Sequence, residues 1–221
     1  MKFWCKGIES SSDSVRRSSA EGLAAMAKCY NKKALDLILP NIESLLPMAF
    51  KQPEDSKIIQ EELKDVNVVP SKKEANLLHG FHAPSKIRKE EKGEPWEVSD
   101  GVVHLIGELA TIYPEAIAGY IPIMTKLMNL EGFKSSIELK EAICMSLPEI
   151  MKSLGSEFCS KNIEGFFDGI FVLMKSIKSK SARDCLDELG KVMGSEVLKK
   201  KLTAYRPEYA TEYEKSFAST N

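Results

Sequence analysis

The chain has 221 residues, and 31 Lys plus Arg against 32 Asp plus Glu is a balance that argues against bulk nucleic-acid or membrane binding. Hydrophobic residues make up 43%, enough for a packed core and too many for global disorder. The five cysteines, at 5, 29, 144, 159 and 185, form an odd set without paired short spacings, which reads as reduced thiols of a cytosolic or nuclear protein. The stretch MKFWCKGIESSSDS has neither a long apolar core nor a small-residue cleavage site, so no signal peptide is expected. The longest apolar stretch, Phe166 to Ile177, is short of the roughly 18 residues of a membrane span and carries Asp168 and Lys175.

In chain order, Phe3, Trp4 and Ile8 predict a short amphipathic helix. Ser10 to Ser14 is a polar break, with Asp13 or Ser14 as the N-cap of a helix marked by Val15, Ser19, Leu23 and Met26. Apolar positions from Leu35 to Phe50 continue the helical pattern, with a kink or a split at Pro40 and Pro47. SKIIQEEL is a further helical stretch. Residues 64–95 hold three prolines, two glycines and many charges, and read as a loop or partly ordered insertion, with a docking turn at Leu77, Leu78 and Phe81. Helices are expected again at Trp96–Tyr113, Ala116–Leu130, Ile137–Leu154, Ile163–Ile177 and Ala182–Leu202, followed by a polar tail over 206–221. No strand-like alternation of useful length is present.

Trp96 to Ala110 is the centre of this pattern. Val98, Val102, Leu105, Ile106 and Leu109 define one buried helix face. Gly107 costs about 1 kcal/mol relative to Ala in a helix, so its use is to admit a neighbouring helix. The pattern repeats. Offsets of 4, 8 and 11 from an anchor give Ser19, Leu23 and Met26 after Val15, Val102, Ile106 and Leu109 after Val98, and Ile143, Leu147 and Ile150 after Leu139. Ala182 is followed by Leu186 and Met193 at offsets 4 and 11. The anchors are 83, 41 and 43 residues apart, so a degenerate unit is expected near residue 57. A basic residue follows the anchor in three units, as Arg16, Lys140 and Arg183.

A period near 40 with two helices per unit, best seen in SVRRSSAEGLAAM and WEVSDGVVHLIGEL, resembles HEAT repeats of the armadillo-like superfamily. The resemblance covers about 180 residues and implies an all-α fold, a right-handed α-α superhelix of about five helix pairs. Repeats 1–2 fall in 1–63 and repeats 3–5 in 96–205. The departures are Ser99, where the pattern has Arg, and a second unit that is almost unrecognisable. The abrupt start at Phe3, Trp4 and Cys5 favours a segment of a longer solenoid over a cap. The long charged insertion is similar to importin-β-like transport receptors, and Trp96 is placed loosely like the Trp of tubulin-binding domains in the same superfamily. Such units imply binding by the second helices, which line the concave side.

Chemistry is sparse. His79 and His82 have metal-ligand spacing but lack nearby partners in sequence for a four-ligand zinc site, so no metal and no cofactor are expected. His104 reads as a packing histidine, and Cys144 and Cys185 as core residues. Arg16-Arg17-Ser18-Ser19 looks like a basic-directed kinase site, but Ser19 falls at an inward offset. No P-loop, HExxH, GxSxG or GxGxxG is present.

Charge is segregated instead. Residues 94–149 hold nine acidic and three basic side chains, and 175–206 hold nine basic and four acidic. Lys175, Lys178, Arg183, Lys199, Lys200 and Lys201 are therefore the expected partner-binding residues, with an acidic protein as partner. The sequence reading is a non-enzymatic protein-binding scaffold without a membrane or small-molecule substrate. The alternatives are a transport-receptor segment and nucleic-acid binding through the basic end, where Tyr205 is the one aromatic suited to stacking.

Overall fold

A computed structural model describes residues 2–54 and 92–218, with side chains from 5 and up to 216. The fold is all-α, and the described residues contain no strand. The SKIIQEEL helix, His79, His82, the turn at Leu77, Leu78 and Phe81, and the insertion up to residue 91 lie outside the described residues. The helices are α1 (Lys2–Ile8), α2 (Asp13–Tyr30), α3 (Lys32–Leu45), α4 (Pro95–Ala110), α5 (Pro114–Ala118), α6 (Ile121–Met128), α7 (Ser136–Leu154), α8 (Ser156–Asn162), α9 (Phe167–Met174), α10 (Ser179–Met193), α11 (Ser195–Tyr205) and α12 (Pro207–Ala218). Short 3-10 turns occupy Leu46–Lys51 and Ile163–Phe166.

The anchors Val15, Val98, Leu139 and Ala182 fall at the starts of α2, α4, α7 and α10. These four helices pack on one another in that order and form one row. The intervening elements form a second layer. α3 and the first 3-10 turn pack on α4, α6 packs on that turn and on α7, α9 packs on α7 and α10, and α11 packs on α10. α4 touches α1, α2, α3, α5, α7 and the first 3-10 turn. This explains why α4 is buried almost all round, from Trp96 to Ala110, with only Glu97, Gly107 and Glu108 less than buried.

Gly107 has the expected use. A Cβ there would lie 3.1 Å from the Cβ and Oγ of Ser146, so α7 crosses α4 where the side chain is missing. Ser99 has its own reason for departing from the basic pattern. Its hydroxyl donates to the Leu46 carbonyl at 2.8 Å and accepts the Ala49 amide at 2.8 Å, tying α4 to the first 3-10 turn. In α7 the matching residue, Lys140, is buried and donates to the carbonyl of Leu130.

Several boundaries differ from the sequence reading. α2 packs directly on α4, and the unit expected near residue 57 lies outside the described residues. The buried face of α2 is Arg16, Ser19, Ala20, Leu23, Ala24 and Ala27, while Val15 is 40% exposed. Ala116–Leu130 is broken at Gly119 and Tyr120, and Ala182–Leu202 at Gly194. Residues 207–218 form α12, whose Tyr209 and Ala210 are buried.

Three of the four row helices end in a left-handed residue: Asn31 (φ 53°), Gly155 (φ 90°) and Gly194 (φ 92°). The two glycines stand in a repeated Gly-Ser-Glu, residues 155–157 and 194–196. Each Ser then opens the next helix, α8 or α11, so the chain reverses by the same device twice.

Candidate functional site: the face of the helix row

Arg16 is the most heavily used charged group of the row. Its Nε donates to Asp100 Oδ2 at 2.7 Å, and Nη1 donates to the Ser10 carbonyl at 3.0 Å. Glu97 and Asp13 lie 3.5 and 3.6 Å from its other nitrogens, and its guanidinium stacks 5.7 Å from the Trp96 ring. Both partners of the Arg16–Asp100 pair are buried, which joins α2 to α4 across the first row interface. Burial raises the Asp100 pKa, and Arg16 opposes it. Arg17 donates to Asp13 at 2.9 Å and leans over Met145, with its nitrogens 3.8 and 3.9 Å from the sulfur.

His104 is 8% exposed, and its Nε2 is buried without a hydrogen-bond partner. It lies 3.6 Å from Asp100 and 3.9 Å from Asp13. Burial first, then the Arg17 charge, holds its pKa at about 4, so the imidazole is neutral near pH 7. Asp13, Asp100 and His104 are close enough together to ligate one ion. The two arginines already occupy both carboxylates, and their charge opposes a cation at that point.

These residues border an open cleft of about 270 Å³ whose walls include Arg16, Arg17, Trp96, Glu97, Asp100, Glu138, Glu141 and Lys178. A second groove of about 470 Å³ continues from Glu141 between α7 and α10, lined by Cys144, Met145, Pro148, Glu149, Ser181, Asp184, Cys185 and Glu188. The two share Glu141, and both open on the same row of helices.

A repeating position explains the composition of this face. Counted from each anchor, the residues one before, two after and six after are spaced by three and four and so share one helix face. They are Ser14, Arg17 and Glu21 in α2, Glu97, Asp100 and His104 in α4, Glu138, Glu141 and Met145 in α7, and Ser181, Asp184 and Glu188 in α10. Seven of these twelve are carboxylates and one is a permanent cation, so the row carries a net acidic stripe. Glu108 belongs to the same region, since its pKa is raised by burial and by the neighbouring Glu21 charge. Sequence reasoning noticed the basic residue after each anchor and missed the acidic one beside it, although Asp100, Glu141 and Asp184 recur at one offset.

The expected basic residues are mostly paired. Lys175 meets Glu212 at 3.8 Å, Lys178 meets Glu141 at 2.8 Å, Lys201 meets Glu164 at 2.7 Å, and Lys199 pairs with Glu214. Lys200 is exposed, and Arg183 is exposed with a contact to Ser179 at 3.5 Å. The six are therefore not gathered into one patch: Lys178 faces the cleft, and Lys175 and Lys199 reach α12. Tyr205 donates to Asp168 at 2.8 Å and meets Phe167 edge-on, so its ring helps hold α11 to α9.

The other chemical candidates are structural. Trp96 is 9% exposed and its indole donates to Glu94. Ser19 is buried and Ser18 exposed. All five cysteines are free. Burial pushes Cys159 up to about 11, and hydrogen bonding to Cys144 together with burial holds Cys185 well above its ordinary value, so neither is a thiolate nucleophile near neutral pH.

Among the described residues no helix is long and apolar enough to cross a membrane. Comparison with protein-family models, curated proteins and solved structures gives no match to this chain.

Proposed function

We propose that this protein is a non-enzymatic binding adaptor of HEAT-like solenoid architecture, which receives another protein on the face of the α2–α4–α7–α10 row. The observation that carries the reading is the acidic stripe along that face, with one carboxylate at these offsets in α2 and two in each of α4, α7 and α10. Like charges held together, as at Glu21 and Glu108, work against the fold. A surface that keeps them has a use for its field, and steering an oppositely charged protein is that use. The ordered packing of the row supports the solenoid reading, as does the Gly-Ser-Glu reversal used twice. The reading assigns no reaction: Asp13 and Asp100 of the cleft are engaged with Arg17 and Arg16, and His104 beside them is held neutral. The five unpaired cysteines support a reading in a reducing compartment, cytosol or nucleus.

The test is affinity capture with three forms of the protein. Glu21 and Glu138 are exposed on the row face, and Lys126 is exposed on α6 in the other layer. The double variant Glu21→Lys, Glu138→Lys should lose the captured partner, while Lys126→Glu should keep it. Equal capture by all three rejects the adaptor reading.

A further inference from the structure

Resting on that adaptor reading, we infer that the groove between α7 and α10 binds a basic amphipathic helix of the partner protein, with an apolar side chain seated over Pro148. The cleft beside α2 and α4 is mixed in charge, because Arg16, Arg17 and Lys178 stand among its carboxylates. The α7–α10 groove differs. Its walls carry Glu141, Glu149, Asp184 and Glu188 and no basic residue.

Glu141 is engaged by Lys178 and by the Ser181 hydroxyl, both at 2.8 Å, and the other three carboxylates are available. Asp184 is exposed and has no ion-pair partner among the described residues. Glu188 and Glu149 pair with Lys191 and Lys152 of their own helices, and such exposed pairs are weak enough to exchange for a better-placed cation. Their spacing suits a helical ligand. Asp184 and Glu188 are one turn apart on α10, about 6 Å, and Glu141 and Glu149 are two turns apart on α7, about 12 Å. Lysines or arginines one turn apart on a docked helix match Asp184 and Glu188, and a further one reaches Glu149 on the facing wall.

The floor supplies the apolar contact. Met145 is 51% exposed, but the Arg17 guanidinium lies 3.8 and 3.9 Å from its sulfur on the α2 side, so the apolar seat lies toward Pro148. Pro148 sits inside α7 and has no amide hydrogen to give the Cys144 carbonyl, one turn back on the same wall. A helix laid between two helices uses the same ridge-and-groove fit that packs the row itself.

The probe is a 16-residue peptide of Lys, Leu and Ala, with lysines one and two turns apart beside a leucine stripe. The control has each lysine replaced by glutamate. Binding is read by fluorescence anisotropy at low salt and at increasing salt, against wild type and Asp184→Lys, Glu188→Lys. Both substituted side chains are exposed, and circular dichroism checks that the fold is kept. The expected result is saturable binding of the basic peptide alone, weakened at least tenfold by the double substitution and by salt, with hydrogen-exchange protection on α7 and α10. Absence of binding, equal binding of the acidic peptide, or equal affinity for the variant overturns the proposal. The same variant in the capture experiment separates the two readings. A partner lost with Glu21→Lys, Glu138→Lys but retained by Asp184→Lys, Glu188→Lys would sink the groove and leave the adaptor standing.

Discussion

His104 and the Arg16–Asp100 pair show how charge is handled inside the row. The folded protein holds His104 at about 4, against 6.5 for an unperturbed imidazole. As pH falls below 6.5 the unfolded chain takes up the proton first, so stability is lost progressively between pH 6.5 and 4. A gap of that size corresponds to about 3 kcal/mol. Asp100, raised by burial, acts with the opposite sign in its own range. His104→Leu should therefore flatten the acid slope, measured by urea unfolding between pH 7.5 and 4, and parallel slopes in the two proteins would refute this account. Asp100→Ala should cost about 3–5 kcal/mol, because it leaves a buried guanidinium without its nearest counter-charge. Arg16→Met together with Asp100→Ala should cost less than Asp100→Ala alone, and equilibrium unfolding of the two variants decides it.

Among the elements, the glycine reversal after α7 and α10 is the most specific. Gly155 and Gly194 adopt φ values near +90° with extended ψ, a region that side-chain-bearing residues avoid. Gly155→Ala and Gly194→Ala should each cost about 1–3 kcal/mol. Gly119→Ala is the control: its φ is −66° and a Cβ there meets nothing within 4 Å, so the melting temperature should hold or rise. A Gly155→Ala protein as stable as wild type would remove the turn from the architecture. The same turns mark where sequence reading worked and where it stopped. Because both helices bury a face against neighbours on two sides, period-3.6 apolar spacing placed α7 and the start of α4 to within one residue, and it ran α4 three residues past Ala110. It merged α10 with α11, because apolar spacing carries through Gly194 while the backbone does not. On the face of α2 it placed Ser19 and Leu23 correctly and missed by one residue at Val15 and Met26, beside the buried Arg16 and Ala27. The cleft was half legible. Charge segregation pointed to an acidic middle, but ion pairs such as Lys201–Glu164 join residues distant in sequence and dissolve the expected basic patch.

At the scale of the whole molecule, the arrangement of the row governs how the protein unfolds. α2 packs on α4, α4 on α7, and α7 on α10. In a stacked array each unit is stabilised by its neighbours, so damage should stay local. Leu186 lies in α10 and is fully buried. Leu186→Ala removes buried apolar volume at a cost of about 2–5 kcal/mol. α10, α11 and α12 pack in series at that end, and α12 is tied back through Tyr209 and Arg206 to Asp168. The variant should lose hydrogen-exchange protection in α10, α11 and α12, with α7 affected only on its α10 side. Protection in α2 and α4 should stay at the wild-type level, because their contacts lie two interfaces away. A single cooperative core would instead lose protection everywhere by the same free energy. Uniform loss in α2 and α10 would therefore reject the solenoid and make the row one layer of an ordinary helical domain.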